Sequence, residues 1–188
     1  MDFQGDIQKY FNLLLNTMHK IDTEKFNDLI KDILEAYNNN ANIYIFGNGG
    51  SASTASHFAN DFNKGISENL EKKFKFYCLN DNIPTILAVA NDLGYEYIFE
   101  FQLKNRLKEN DIVIGISGSG NSQNIILAIE YAKSVGIKTW ALTGYDGGKL
   151  AKISDRCLNV PISNMQITED LHIIFNHAMM SILKNRLQ

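Results

Sequence analysis

The segment Asp111-Ile-Val-Ile-Gly-Ile116 is too short for a helix and carries its apolar side chains without polar alternation. A strand of that kind is covered on both faces, and such strands belong to parallel sheets with helices on either side. Four further runs, at 43–46, 74–79, 138–143 and 156–160, are similarly short and rich in β-forming residues. Between them lie helical stretches at 51–63, 82–89, 95–107 and 121–135. This alternation predicts an α/β domain built on a five-stranded, parallel, doubly wound sheet of the flavodoxin-like kind, flanked by helices.

Two helices precede the first strand. The one at 6–20 places Tyr10, Leu14, Leu15 and Met18 on one face, and the one at 22–38 does so with Phe26, Leu29, Ile30, Ile33 and Leu34. A long helix at 166–186 closes the chain. These helices exceed what the sheet needs. They either cover the sheet or pack against other subunits, and the second reading is favoured. Residues 1–40 are then an N-terminal helical oligomerisation segment, and 41–188 an α/β core with a C-terminal helix, all one domain.

With 188 residues, 45% of them apolar, the chain can bury a core without disulfides or a structural metal. A net charge of −3 argues against a strongly basic nucleic-acid binder. No apolar run reaches the length of a membrane span, and Met1-Asp2-Phe3-Gln4-Gly5-Asp6 lacks the layout of a signal peptide. Cys78 and Cys157 make neither a metal spacing nor a disulfide framework and read as small strand residues in a reducing compartment. The expectation is a cytoplasmic protein with no nucleic-acid or membrane partner.

In parallel sheets, ligands bind at the carboxyl ends of the strands. Two strand-to-helix turns here are rich in Gly and Ser: Gly47-Asn48-Gly49-Gly50-Ser51-Ala52 and Ser117-Gly118-Ser119-Gly120-Asn121-Ser122. Either could be no more than a tight turn with a helix cap. Two on separate strand ends favour a phosphorylated ligand, because glycines admit an anion close to the backbone while helix N-terminal amides and hydroxyls donate to it. Neither turn carries the third glycine of a dinucleotide fingerprint or the Gly-Lys-Ser/Thr of a Walker loop.

His57 and Asp61 lie four apart on one helix face, a spacing that suits a metal half-site, an acid–base pair or a solvated surface pair. The last helix carries Glu169, His172 and His177, with Glu169 and His172 on one face, while His19 on the first helix reads as solvated. Glu169 and His177 are eight residues apart, about 12 Å along a helix axis. They reach one small site only by leaning, or if one comes from a neighbouring subunit. Asn91-Asp92-Leu93-Gly94-Tyr95 is a good turn and cap, and could equally offer an amide and a carboxylate to sugar hydroxyls.

Gly115-Ile-Ser-Gly-Ser-Gly-Asn-Ser122 resembles the sugar-phosphate-binding signature of sugar isomerase (SIS) domains. Gly47–Ala52 with His57-Phe-Ala59, then Ala88–Tyr95, Ala141–Gly148 and Glu169–His177, resemble the phosphoheptose isomerase family in order and spacing over nearly the whole chain. The resemblance implies a homotetramer of single SIS domains with active sites between subunits. It implies conversion of sedoheptulose 7-phosphate to D-glycero-D-manno-heptose 7-phosphate, the opening step towards nucleotide-activated (ADP- or GDP-linked) heptoses of lipopolysaccharide or capsule.

Carried onto matching positions, the family's sugar-phosphate contacts fall on Asn48, Gly49, Gly50, Asp61, Asn91, Asp92, Ser117, Gly118, Ser119, Ser122 and Glu169. A zinc ion, one per subunit, would be held by His57, Asp61, Glu169 and His177, with Asp61 and His177 as the proton-transfer pair. Two positions depart from the family pattern: Asp61 stands where glutamate is common, and Glu169 where glutamine is. Gln166 lies eleven residues before His177 rather than eight, so Glu169 is the matched position. A rival reading is a non-catalytic SIS tetramer that binds the replication-initiation ATPase. Such relatives lack the acid and the final histidine, both of which are present here.

Overall fold

The structure is a computed structural model and describes residues 1–187. Its strands are β1 (Ile43–Gly47), β2 (Phe76–Cys78), β3 (Ile112–Ser117), β4 (Lys138–Thr143) and β5 (Arg156–Asn159). They form one parallel sheet in the order β2-β1-β3-β4-β5, with Ile43 in register with Ile112 and Ile112 with Lys138. This is the predicted flavodoxin-like order. The helices are α1 (Gln4–Met18), α2 (Thr23–Asn38), α3 (Gly50–Asn60), α4 (Ile83–Asp92), α5 (Glu100–Leu103), α6 (Gln123–Ser134), α7 (Gly148–Ile153) and α8 (Met165–Leu187).

Successive side chains of a strand point to opposite faces, and this divides the apolar interior in two. Ile43, Ile45, Ile114, Trp140 and Leu142 pack with Leu29 and Ile33 of α2, Phe58 of α3, and Leu171, Phe175 and Met179 of α8. Tyr44, Phe46, Val113 and Ala141 pack with Val89, Phe99, Ile129 and Leu150 from α4 to α7. Both faces of the sheet are therefore dry, as the unbroken apolar runs require.

The two leading helices part company. Helix α2 covers the sheet: Leu29, Ile33 and Ala36 are buried, and buried Asp32 accepts from Lys138 Nζ and Trp140 Nε1, each at 2.9 Å. Helix α1 buries only Thr17, and Phe3, Ile7, Phe11, Leu15 and Met18 stand exposed on it. Its tie to α8 is the Tyr10 hydroxyl, which donates to Asp170 Oδ2 at 2.6 Å; that carboxylate pushes the hydroxyl's pKa up to about 12.

Beyond shifts of a few residues at element ends, three segments differ from the sequence reading. The helix expected at 51–63 changes at Asp61 into a π-helical turn, Asp61–Ile66. Helix α8 presses there, so closely that a Cβ on Gly65 would stand 2.5 Å from the Met180 methyl. Ser67 Oγ donates to the Phe62 carbonyl at 2.8 Å, and Asn63 pairs through its side-chain amide with both the N–H and the C=O of Phe76. The helix expected at 95–107 shrinks to a 3₁₀ turn, Tyr95–Tyr97, and the short α5, because the backbone turns left-handed at Asn105 (φ 60°). The short α7 was not foreseen; it begins at Gly148 behind Gly147, both at positive φ.

Helix α8 is anchored to β4 by His172, which is fully buried with its Nε2 3.1 Å from the Thr143 carbonyl. Burial lowers the pKa of this imidazole from 6.5 to about 4. Unfolded, the ring takes a proton as pH falls below about 6.5, whereas the native ring resists until about pH 4. Stability from His172 is therefore lost as pH falls through that window, by at most about 3 kcal/mol. Thermal melts of the parent from pH 7 to pH 4 should show a steeper fall in Tm than those of His172→Gln, which keeps a donor but does not titrate. Parallel curves would refute this.

Candidate functional site

The second Gly/Ser-rich turn closes tightly on itself. Gly120 N donates to the Ser117 carbonyl at 3.0 Å, and the Ser117 and Ser122 hydroxyls lie 3.1 Å apart. Gly120 adopts φ +66°, and a Cβ on it would stand 2.0 Å from the Gly147 carbonyl oxygen. The first turn has Gly49 at φ +54°, which lets the chain turn from β1 into α3. Together the two turns line one cleft of about 260 Å³, bounded by Asn48, Gly49, Gly50, Ser51, Ser117, Gly118, Ser119, Ser122, Met165 and Glu169. The N-termini of α3 and α6 open onto it, which suits an anion.

Glu169 enters the cleft from α8. Its carboxylate lies so close to the backbone that a Cβ on Gly50 would be 2.6 Å from both of its oxygens. A larger residue at position 50 would displace this carboxylate from where it stands. Asn48 holds the first turn to its neighbours: its Oδ1 accepts from Tyr95 Oη at 2.8 Å and from Asn124 Nδ2 at 2.9 Å.

Further along the same helices, His57, Asp61 and His177 converge within one chain. His57 Nε2 is 3.2 Å from Asp61 Oδ2 and 3.3 Å from His177 Nε2, and His177 Nε2 is 3.8 Å from Asp61 Oδ2. Asp61 is buried while both imidazoles are exposed. The three ligand atoms lie within 4.8 Å of one another and can hold a metal ion. An ion making tetrahedral bonds of about 2.0–2.1 Å to nitrogen and oxygen has ligands roughly 3.3 Å apart, close to the spacing here. Two imidazoles and one carboxylate leave a fourth position open.

Of the sugar-phosphate residues expected from the sequence, Asn48, Gly49, Gly50, Ser117, Gly118, Ser119, Ser122 and Glu169 meet in the cleft. Asp61 stands instead with the histidines. Glu169, expected as a fourth ligand, is not one of the three clustered residues. Asn91 and Asp92 are exposed at the end of α4, hydrogen-bonded to each other at 2.7 Å and outside this cleft. The spacing of Glu169 and His177 left open leaning side chains or a neighbouring chain; within this chain His177 stands with His57 and Asp61, while Glu169 lines the cleft. His172, on the same helix, faces the core.

Three residues escaped the sequence reading: Tyr95, Asn124 and Asn176. Asn124 and Asn176 are polar residues buried in amphipathic helices. That mismatch was the available signal. Both thiols are remote from this chemistry, and burial pushes Cys78 up to about 12 and Cys157 upward as well.

Residues 8–144 match the SIS domain family model. A probable phosphoheptose isomerase of Thermoplasma volcanium is 32% identical over 178 residues, covering 95% of this chain and 90% of its own. A phosphoheptose isomerase of Helicobacter pylori is 41% identical over 146 residues, covering 78% of this chain and 76% of its own. The solved phosphoheptose isomerase of Neisseria gonorrhoeae superposes with a TM-score of 0.89 at 30% identity, over 98% of this chain and 100% of that one. That of Francisella tularensis gives 0.90 at 26% identity with the same coverage.

Substitution at Gly120 tests the contact that shapes the cleft. Gly120→Ala meets both a left-handed backbone and the Gly147 carbonyl, whereas Gly136→Ala meets a left-handed backbone (φ +78°) in open space. The backbone cost alone is about 1–2 kcal/mol. Gly120→Ala should lower Tm clearly more than Gly136→Ala; equal losses would show that the contact is not tight.

Proposed function

The chain belongs to the SIS domain family, and on that footing we propose that it is an aldose–ketose isomerase converting D-sedoheptulose 7-phosphate to D-glycero-D-manno-heptose 7-phosphate. What carries the reading is the separation of two unlike sites along one helix pair. The anion cleft lies at Glu169, and the His57–Asp61–His177 group begins eight residues on, about 12 Å along α8. A seven-carbon sugar phosphate has its phosphate at one end and its carbonyl near the other, and with bonds of about 1.5 Å its extended chain reaches roughly 8–10 Å. A substrate anchored in the cleft therefore spans most of that interval, with its carbonyl end directed towards the group.

In the proposed mechanism the Gly47–Ser51 and Ser117–Ser122 turns hold the phosphate. Asp61 takes the proton from C1 of the ketose, a cis-enediol forms, and the proton returns to C2. His177 moves the accompanying proton between O1 and O2, so no redox cofactor is consumed. Burial shields Asp61 from solvent, while half-exposed His177 can meet the sugar oxygens. The donor set suits zinc, one per subunit, at His57, Asp61 and His177; bound there, zinc would polarise the sugar carbonyl. Glu169 is proposed to meet the sugar where it leaves the phosphate cleft.

We further propose a cytoplasmic homotetramer supplying heptose for lipopolysaccharide or capsule. The unpartnered α1 face of residues 1–40 supports the assembly, as do exposed Leu87, Leu93, Tyr95 and Phe101 around α4. Asn91 and Asp92, outside the cleft of their own chain, are proposed to serve a neighbouring subunit. The assembled acid and histidines favour this enzyme over the non-catalytic relative that binds the replication-initiation ATPase.

Incubation with sedoheptulose 7-phosphate, followed by NMR, should show the aldose product. Asp61→Asn and His177→Gln should each lower kcat by about 10²–10⁴-fold in folded protein. Near-parental turnover in both would overturn the assignment. Ser119→Ala with Ser122→Ala should mainly raise KM; an unchanged KM would shift the phosphate to the first turn. Co-refolded Asp61→Asn and His177→Gln chains should regain no activity, because both residues of each site come from one chain. Recovery on mixing would contradict that arrangement.

A further inference from the structure

Asn176 precedes His177 on α8 and is fully buried, yet nothing in the proposed proton transfers uses it. Its Nδ2 donates to Asp61 Oδ2 at 2.7 Å, closer than either imidazole approaches that oxygen. Its Oδ1 is buried without a hydrogen-bond partner among the described residues. Charge fixes which way the amide faces: turned over, its oxygen would press against a carboxylate oxygen. As packing alone, the residue is a poor choice. Leucine has a similar size and would bring no unpaired amide oxygen into the interior.

The torsion that sets an aspartate's carboxylate plane is broad and weakly restrained by the side chain itself. A hydrogen bond from a rigid, buried neighbour can set it. We infer that Asn176 is a positioning residue: its amide N–H holds Asp61 Oδ2 from the interior side and so aims the carboxylate at His57 and His177. The inference rests on the reading of Asp61 as a proton-transferring and metal-holding group. It deepens that reading, because a shorter acid on a π-helical turn is steered by a partner on the facing helix.

The test uses the full-length protein with four variants: Asn176→Leu, Asn176→Ala, Asp61→Asn, and Asp61→Asn combined with Asn176→Leu. Three quantities are measured: kcat and KM on sedoheptulose 7-phosphate, affinity for zinc alone by competition with a chromophoric chelator, and Tm. Loss of a partner that orients a ligating carboxylate should lower kcat and zinc affinity by about 10–100-fold, while KM stays within about twofold. Tm of Asn176→Leu should stay close to the parent, because loss of the donor to Asp61 is offset by removal of the unpaired amide oxygen. On the Asp61→Asn background, Asn176→Leu should change residual kcat and zinc affinity by less than about twofold, because the carboxylate it steers is gone.

The inference is overturned if both single Asn176 variants keep parental kcat and zinc affinity. It is equally overturned if the loss persists undiminished on the Asp61→Asn background, or if kcat falls only in step with Tm. Should Asn176→Leu fail to fold, Asn176→Ala assayed well below its Tm decides. If the parent turns over no heptose phosphate but binds zinc, and Asn176→Leu weakens that binding, the proposed reaction falls and the inference stands. If the parent neither turns over substrate nor binds zinc, both fall.

Discussion

Helix α8 lies closely alongside α3 and its π-helical extension, and at two points a glycine faces it. Gly50 leaves room for the Glu169 carboxylate, and Gly65 leaves room for the Met180 methyl. With both ends pinned, the residues between are held in register: His57 against His177, and Asp61 against Asn176. Sliding α8 by one turn, about 5.4 Å, would take every one of these pairs apart. The same pair of helices buries Phe58, Phe62, Phe175 and Met179 against the sheet. The packing that stabilises the domain and the geometry of the clustered side chains are thus one structural fact.

The cleft at the other end obeys a different rule. Backbone and hydroxyl donors from two turns converge there, and the second turn is locked to the loop after β4 through Gly120, Gly147 and Gly148. Glu169 brings a carboxylate into this donor-rich space. An entering anion meets attraction from two helix starts and opposition from one side chain, so its hold rests more heavily on the amides and on Ser117, Ser119 and Ser122 than it would beside a neutral amide.

The sheet was legible because its strands are buried on both faces and cannot hide their composition: β4 appears at the residues expected of it, and the others differ by one or a few. The cleft was legible because glycine and serine mark close backbone approach wherever they gather after a strand. What escaped depended on contacts between distant segments. Nothing local in Asp61-Phe-Asn-Lys-Gly-Ile66 announces a π-helical turn, whose room comes from Met180 over a hundred residues away. Nothing near Asn176 announces its bond to Asp61. The spacing of Glu169 and His177 was legible; that His57 and Asp61 stand opposite His177 was not, because it depends on α3 running beside α8 over the same interval.

The π-helical turn also reaches the margin of the sheet. β2 is an outer strand, and the backbone N–H and C=O of Phe76 that point away from β1 are both taken by the Asn63 amide, at 2.8 and 2.7 Å. A side chain thus occupies the rung where another molecule's strand would dock. With only three residues in β2, little template remains for a foreign β-segment. The turn that carries Asp61 therefore also caps this edge of the folded chain against pairing with a strand of another copy.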